Sequence, residues 1–389
     1  MLNFYYWYSI ITSIILGLYL LPFSSLNTKI NPYLFILIVL SIVFSIILGK
    51  IFNNRFIYKP AIYRKNKFFY LPMVAIVVLY LYEILYLREI PFITVTIKHI
   101  NKYQEFESIP FLHMFLSMLC MYYSTKYIYH AISYKEKRKT NIVLYFVINI
   151  IMLSYNMRSF LMISMFIALN LLVAKVKSSD KKILSQKNGR VIIVVLLLLF
   201  MFGGIGNMRQ GYAFSDSTYI QQIGRYKKWP NIIPKQFMWP YSYITSPLAN
   251  LNYNITIQNS TKNIEGFVYQ LIPDSISKRI RGVNSVNECE LITQVFTTST
   301  GYCRPYSNMG LFGIVLFWII VMFFPIPLFK YYVDKNKYES FFVFVSLYCT
   351  CITFLFFTNM FTYGGTSPAL WLSILILVSR IKTTTNKGR

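Results

Sequence analysis

Ten apolar stretches, divided by short polar connections and one long one, set the pattern of the chain. They run over Phe4–Leu21, Pro32–Phe52, Phe68–Leu87, Pro110–His130, Thr140–Tyr155, Ser159–Val176, Val191–Ile205, Met309–Lys330, Tyr338–Met360 and Ser367–Ile381. A helix needs about 20 mostly apolar residues to cross the hydrocarbon core of a bilayer, so each stretch predicts a crossing helix. The fifth and seventh are short, and either tilt differently or extend past these limits. Backbone in lipid must satisfy its own hydrogen bonds, so the expected fold is an all-α polytopic membrane protein with about ten transmembrane helices. The pattern divides into helices one to seven over 1–206 with an outer cap at 88–109, a large loop over 207–307, and helices eight to ten over 308–389. Met1–Asn3 carries no basic segment, so the first apolar run is expected to be a span and not a cleaved signal.

Composition agrees with this pattern. The 389 residues are 56% hydrophobic and 18% aromatic, and only 13% are charged, about half the share usual in a soluble domain. The formal charge of +26 invites a nucleic-acid partner, but the cations are spread over short connections instead of forming one patch, which argues against it. Their placement alternates. Lys50, Arg55, Lys59, Arg64, Lys65 and Lys67 fill the second connection, Lys135, Lys137, Arg138 and Lys139 the fourth, and Lys177, Lys181, Lys182, Lys187 and Arg190 the sixth. Lys335 and Lys337 mark the eighth, and the tail carries Arg380, Lys382, Lys387 and Arg389. The first connection has only Lys29, the fifth only Arg158, and the ninth no charge. Basic connections stay in the cytoplasm, so both termini are expected inside and the large loop outside.

Two outer segments have texture of their own. Arg88–Ile109 mixes polar and aromatic residues and reads as a structured cap. Within Asn207–Ser307, STYIQQIGRYKKW predicts a short amphipathic helix ending at Pro230, and Trp239, Tyr241, Tyr243 and Tyr253 follow closely. Aromatics at this density predict a helix along the membrane interface, with its rings at headgroup depth.

The chain has no metal motif, since His99, His113 and His130 are scattered and no CxxC or HxxxH occurs. Phosphate-loop and serine-hydrolase signatures are also missing. Chemistry must therefore come from side chains acting without a cofactor. Arg158, on the tight turn NMRSF, is a cation on a short outer turn, against the charge pattern. It is either a functional residue or a snorkelling arginine paired with lipid phosphate. Arg209 falls at the same height, and two such arginines suit a bidentate grip on a pyrophosphate. Arg225, with Lys227 and Lys228, reads equally as part of that grip or as a solvated helix face. Glu83 lies inside the third span, where a carboxylate faces a cavity or a partner, either catalytic or a loop arginine. His113 is either a basic group at a substrate site or a core histidine bonded to backbone. Cys289 and Cys303 form one bridge on an oxidising face or remain free thiols, while Cys120, Cys349 and Cys351 read as core.

Taken in order, several islands resemble the Wzy-type oligosaccharide repeat-unit polymerases, the O-antigen and capsule polymerase family. They are IPF at Ile90–Phe92, YQEFESIPFLH at Tyr103–His113, NMRSFLM at Asn156–Met162 and GNMRQG at Gly206–Gly211. YITSPLANL, LIPDSI and TSTGYCRPYSNMGLFG continue the series from Tyr243 to Gly313. The likeness runs from the third connection through the eighth span and rests on order more than on any one motif. Tyr306-Ser307-Asn308 stands where the family often has an acidic residue before its glycine pair, so no carboxylate role is available there.

The resemblance implies a GT-C-like architecture in a bacterial plasma (inner) membrane, with the active site facing the periplasm or exterior. It implies a metal-independent glycosyltransferase that moves a growing glycan from undecaprenyl pyrophosphate onto a new lipid-linked repeat unit. Its partners would be that undecaprenyl-pyrophosphate-linked oligosaccharide and membrane lipid, with a chain-length regulator protein as a further candidate. Pyrophosphate is a good leaving group, so the demands are cations for its charge and a base for the acceptor hydroxyl. Expected pyrophosphate ligands are Arg158, Arg209, Arg225, Arg281 and Arg304, and candidate bases are Glu105, His113 and Asp274, with Glu107, Glu288 and Glu290 behind them. Tyr103, Tyr241 and Tyr302 are expected to stack on sugars. Alternatives are an O-antigen ligase, whose family usually has a histidine in a large loop that here has none, and a lipid-linked oligosaccharide flippase.

Overall fold

The computed structural model describes residues 2–60, 68–94, 109, 111–155, 157–178, 183–280 and 289–379. For Arg158 and Arg209 the backbone alone is described. The regular elements of the described residues are all helices, with one isolated β-bridge between Ser24 and Tyr226.

The first helices follow the apolar pattern closely. Helix α1 covers Phe4–Tyr19 and α2 Pro32–Ile51. Asn3 and Asn31 cap them by accepting from the amides of Tyr5 and Tyr33, and Pro32 opens α2, where its missing N–H costs nothing. Then come α3 (Leu71–Leu87), α4 (Leu112–Ser133), α5 (Arg138–Ser154), α6 (Arg158–Ser178) and α7 (Ile183–Arg209). Helix α7 exceeds the short seventh stretch at both ends. After the large loop, α12 (Cys303–Phe323), α13 (Tyr338–Thr353) and α14 (Thr366–Val378) complete the bundle.

Among the described residues four helical segments are long and apolar enough to cross a membrane: Pro32–Ile51, Ser159–Val176, Cys303–Val333 and Lys335–Phe356. Shorter apolar helices lie at Phe4–Tyr19, Leu71–Leu87, Leu196–Met208 and Thr366–Val378. Helix α2 exposes Phe35, Ile36, Leu40, Val43, Phe44 and Ile47, a face that water would not tolerate and lipid would cover. By contrast α13 is buried without interruption from Phe341 to Thr353 and packs against α1, α4, α6 and α14. A helix apolar on all sides belongs in the middle of the bundle. The chain is thus an all-helical membrane protein.

The large loop departs from expectation. Its main element is α9, Met238–Thr256, flanked by the short helices α8 (Thr218–Ile223), α10 (Ile264–Val268) and α11 (Asp274–Ile280). Helix α9 is buried along nearly its whole length against α1, α7 and α12, so its rings at Trp239 and Tyr241 pack on protein. The reason lies in three asparagines, Asn250, Asn252 and Asn254, all fully buried. Asn250 and Asn254, one turn apart, grip the extended 290–298 segment. Asn250 Nδ2 donates to the Thr298 carbonyl (2.8 Å) and its Oδ1 accepts from Ile292 N (2.9 Å). Asn254 exchanges a matching pair with the Glu290 carbonyl and amide, at 2.8 and 3.0 Å. On another face, Asn252 holds the first connection, accepting from Asn31 N and donating to Tyr19, Thr28 and Lys29. The side-chain amides thereby satisfy irregular backbone that has no sheet partner.

The eighth helix also differs. It begins at Cys303, not Met309, and breaks at Met309–Gly310, where Gly310 takes φ 60° and ψ −152°, a region open to glycine alone. The break frees the carbonyls of Ser307 and Asn308, and the amides of Thr261 and Asn263 occupy them at 2.9 and 2.8 Å. Cys289 and Cys303 form a disulfide with Cα atoms 5.9 Å apart, fixing the end of the loop to the start of α12.

Candidate functional site

The ends of α3, α4 and α5 meet around one carboxylate. Glu83, in the last turn of α3, is fully buried. It accepts from the Tyr155 hydroxyl at 2.8 Å and faces His113 Nδ1 at 3.1 and 3.2 Å. The His113 and Tyr155 rings cross edge to face with centroids 4.8 Å apart. Among the described residues the partners of Glu83 are a histidine and a tyrosine. With the Glu83 carboxylate as acceptor, a neutral His113 carries its proton on Nδ1 and presents Nε2 as an acceptor. His113 is 26% exposed while Glu83 is sealed behind it.

From Tyr155 the chain turns into α6, whose first residue is Arg158. Ser159, beside it, is bonded to the Tyr363 hydroxyl at 3.1 Å. The turn carrying Arg158 is therefore tied on one flank to α3 and on the other to the α13–α14 connection. The Thr362 carbonyl, next to Tyr363, accepts from the Asp274 amide at 2.9 Å. Asp274 Oδ1 faces Arg304 Nη1 at 3.4 Å. Five residues along α11, the Arg279 guanidinium lies 3.5 Å over the Phe111 ring, two residues before His113. These contacts close a circuit through α4, α3, α5, α6, the α13–α14 connection and α11. Residues spread from 83 to 363 thus come to one end of the bundle, and four expected site residues lie on or against the circuit: His113, Arg158, Asp274 and Arg304.

Other expected residues fall elsewhere. Arg225 has a left-handed backbone (φ 47°) and an exposed side chain, and its carbonyl receives the Ser25 amide and hydroxyl at 3.0 and 3.1 Å. Its described contacts are with the first connection, not with the circuit. Arg209 closes α7. Glu290 serves through its backbone on Asn254. Tyr103, Glu105, Glu107, Arg281 and Glu288 lie outside the described residues.

Two expected sugar-stacking rings are corrected by burial. The Tyr302 hydroxyl meets the Tyr8 hydroxyl at 2.9 Å, and its ring packs edge-on against Phe317 and Phe356. Tyr241 accepts from Asn27 at 2.8 Å and donates to the Leu21 carbonyl at 3.0 Å inside a cluster with Phe23, Tyr226 and Trp229. Burial pushes the Tyr241 phenol up to about 12. Neither ring offers a face to a ligand, because each is part of the packing that joins loop to bundle.

The sequence had not singled out Tyr155 or Tyr363. Tyr155 stands two residues before the turn Met157-Arg158, and a tyrosine at the end of a span was read as its boundary. Among the described residues no group of histidine, cysteine and carboxylate side chains is placed to hold a metal ion. Comparison with family models, curated proteins and solved structures gives no match. The functional reading therefore rests on the chain's own residues.

Proposed function

We propose that this protein is a Wzy-type polymerase, joining undecaprenyl-pyrophosphate-linked oligosaccharide repeat units by en bloc glycosyl transfer. The observation that carries the reading is the convergence of His113, Arg158, Asp274 and Arg304 at one end of the bundle.

In the proposed reaction the acceptor sugar hydroxyl attacks the anomeric carbon of the lipid-linked donor. The new glycosidic C–O bond forms as the bond from that carbon to the pyrophosphate oxygen breaks, and undecaprenyl pyrophosphate departs with the electron pair. His113 Nε2 accepts the hydroxyl proton, with Nδ1 held by Glu83 so that the ring keeps the tautomer and orientation it needs. Arg158, Arg304 and Arg279 supply positive charge for the departing pyrophosphate. Asp274 positions Arg304, and is assigned no proton transfer. The alternation of basic and bare connections supports an outer position for the circuit, and the Cys289–Cys303 bridge suits an oxidising compartment there.

Deletion of the gene followed by sizing of the cell's lipid-linked glycan tests this reading. A polymerase leaves single repeat units, restored to long chains by the wild-type copy. Long chains stranded on undecaprenyl pyrophosphate would mean a ligase, and absence of outward-facing repeat units a flippase; either outcome would reject the proposal.

A further inference from the structure

Away from the circuit, α4, α5 and α6 enclose an apolar groove of about 580 Å³. Its walls include Ile142 and Phe146 of α5 and Leu169 and Leu172 of α6, all exposed. The groove runs from Arg138 to Asn149 on α5 and from Leu161 to Lys175 on α6. At the 1.5 Å rise of a helix these lengths are about 16 and 21 Å, roughly the depth of one leaflet of the ~30 Å core. A groove of that length fits one acyl chain better than it fits a chain spanning both leaflets.

One end is charged. Arg138 and Lys175 line it, and their like charges act on one another. Arg138 Nε donates to the Ala131 carbonyl at 3.0 Å, and Lys175 Nζ donates to the Ile132 carbonyl. Those bonds cap the last turn of α4 and use one N–H from each cation. The guanidinium keeps its Nη groups and the ammonium two protons, and among the described residues no carboxylate pairs with either. Two neighbouring cations at the mouth of an apolar groove call for an anion attached to a hydrocarbon chain.

We propose that this groove binds one anionic glycerophospholipid, its phosphate on Arg138 and Lys175 and one acyl chain lying between α5 and α6. The site is independent of the polymerase reading, because it lies at the opposite end of α4 from His113. By the charge pattern of the connections it would draw on the cytoplasmic leaflet.

The test is native mass spectrometry of the full chain in mild detergent, with phosphatidylglycerol and phosphatidylcholine of identical acyl chains as probes. The expected result is one retained phosphatidylglycerol, favoured over phosphatidylcholine by about tenfold. Arg138→Gln should lower that retention by a similar factor. Ala168→Phe, which fills the groove and keeps both cations, should lower it as well. If Ala168→Phe loses helicity by circular dichroism, Ala168→Leu makes the same test with less bulk. Equal retention of the two lipids, or phosphatidylglycerol retention unchanged in the filled groove, would overturn the proposal.

Discussion

The contact most open to a quantitative test is the one between Tyr155 and Glu83. The hydroxyl donates at 2.8 Å to a carboxylate with no exposed surface, so water does not compete for it. Hydrogen bonds to charged groups contribute roughly 1.5–3 kcal/mol. Tyr155→Phe should therefore lower stability by about 2 kcal/mol, leaving His113 as the remaining partner of Glu83. Glu83→Gln keeps an acceptor oxygen but removes the charge, and should cost about 1–3 kcal/mol. If the bond is as described, the double variant loses less than the sum of the two, by about 1–2 kcal/mol. Equilibrium unfolding in mixed micelles, followed by helical circular dichroism, measures all three. Losses that add within about 0.5 kcal/mol would show the two groups to be uncoupled and refute the geometry. The same variants bear on function. Glu83→Gln frees the His113 tautomer, so the transfer rate should fall by about 10²–10⁴-fold, the usual contribution of a general base. His113→Ala should fall equally, and a Glu83→Gln enzyme at full rate would remove His113 from the proposed reaction.

Three further outcomes follow from the loop and the circuit. Asn252→Leu removes an amide whose two N–H groups are shared among Tyr19, Thr28 and Lys29 and whose oxygen accepts from Asn31 N. It should destabilise by about 3 kcal/mol at roughly 1 kcal/mol per bond, and an unchanged unfolding midpoint would contradict the role assigned to α9. Cys289→Ser opens a bridge of sequence separation 14 and should cost about 3 kcal/mol, visible as a melting temperature that no longer responds to reductant. Arg158→Lys and Arg158→Ala should both abolish long-chain glycan in cells lacking the native copy, and wild-type chain length in either would exclude the pyrophosphate role.

Much of the bundle was legible because lipid imposes a simple rule on it. The apolar stretch Pro32–Phe52 matches the helix Pro32–Ile51 to within a residue, because the run is unbroken. Helix α12 was misjudged at its start. CRPYSN reads as loop by composition, and its helical form depends on Thr261 and Asn263 taking up the carbonyls freed at the break. The burial of α9 in protein was illegible for a related reason. Aromatics mixed with polar residues describe an interfacial helix and a buried polar one equally well. The choice between them rests on partners far away in sequence, Asn31 for Asn252 and Ile292 for Asn250. The candidate site was legible in its ionisable members, because His113, Asp274 and the arginines stand out in an apolar chain. Tyr155, Ser159 and Tyr363 did not, since only the packing of α3, α6 and the α13–α14 connection shows what their hydroxyls hold.

The central claim is that this chain forms glycosidic bonds between lipid-linked repeat units. Its most direct test is purified protein incubated with undecaprenyl-pyrophosphate-linked repeat units alone, the products separated by size. The account predicts a ladder of whole-number multiples still on undecaprenyl pyrophosphate, with one undecaprenyl pyrophosphate released per bond formed and no ladder from His113→Ala. Single repeat units left unchanged by folded wild-type protein would contradict it.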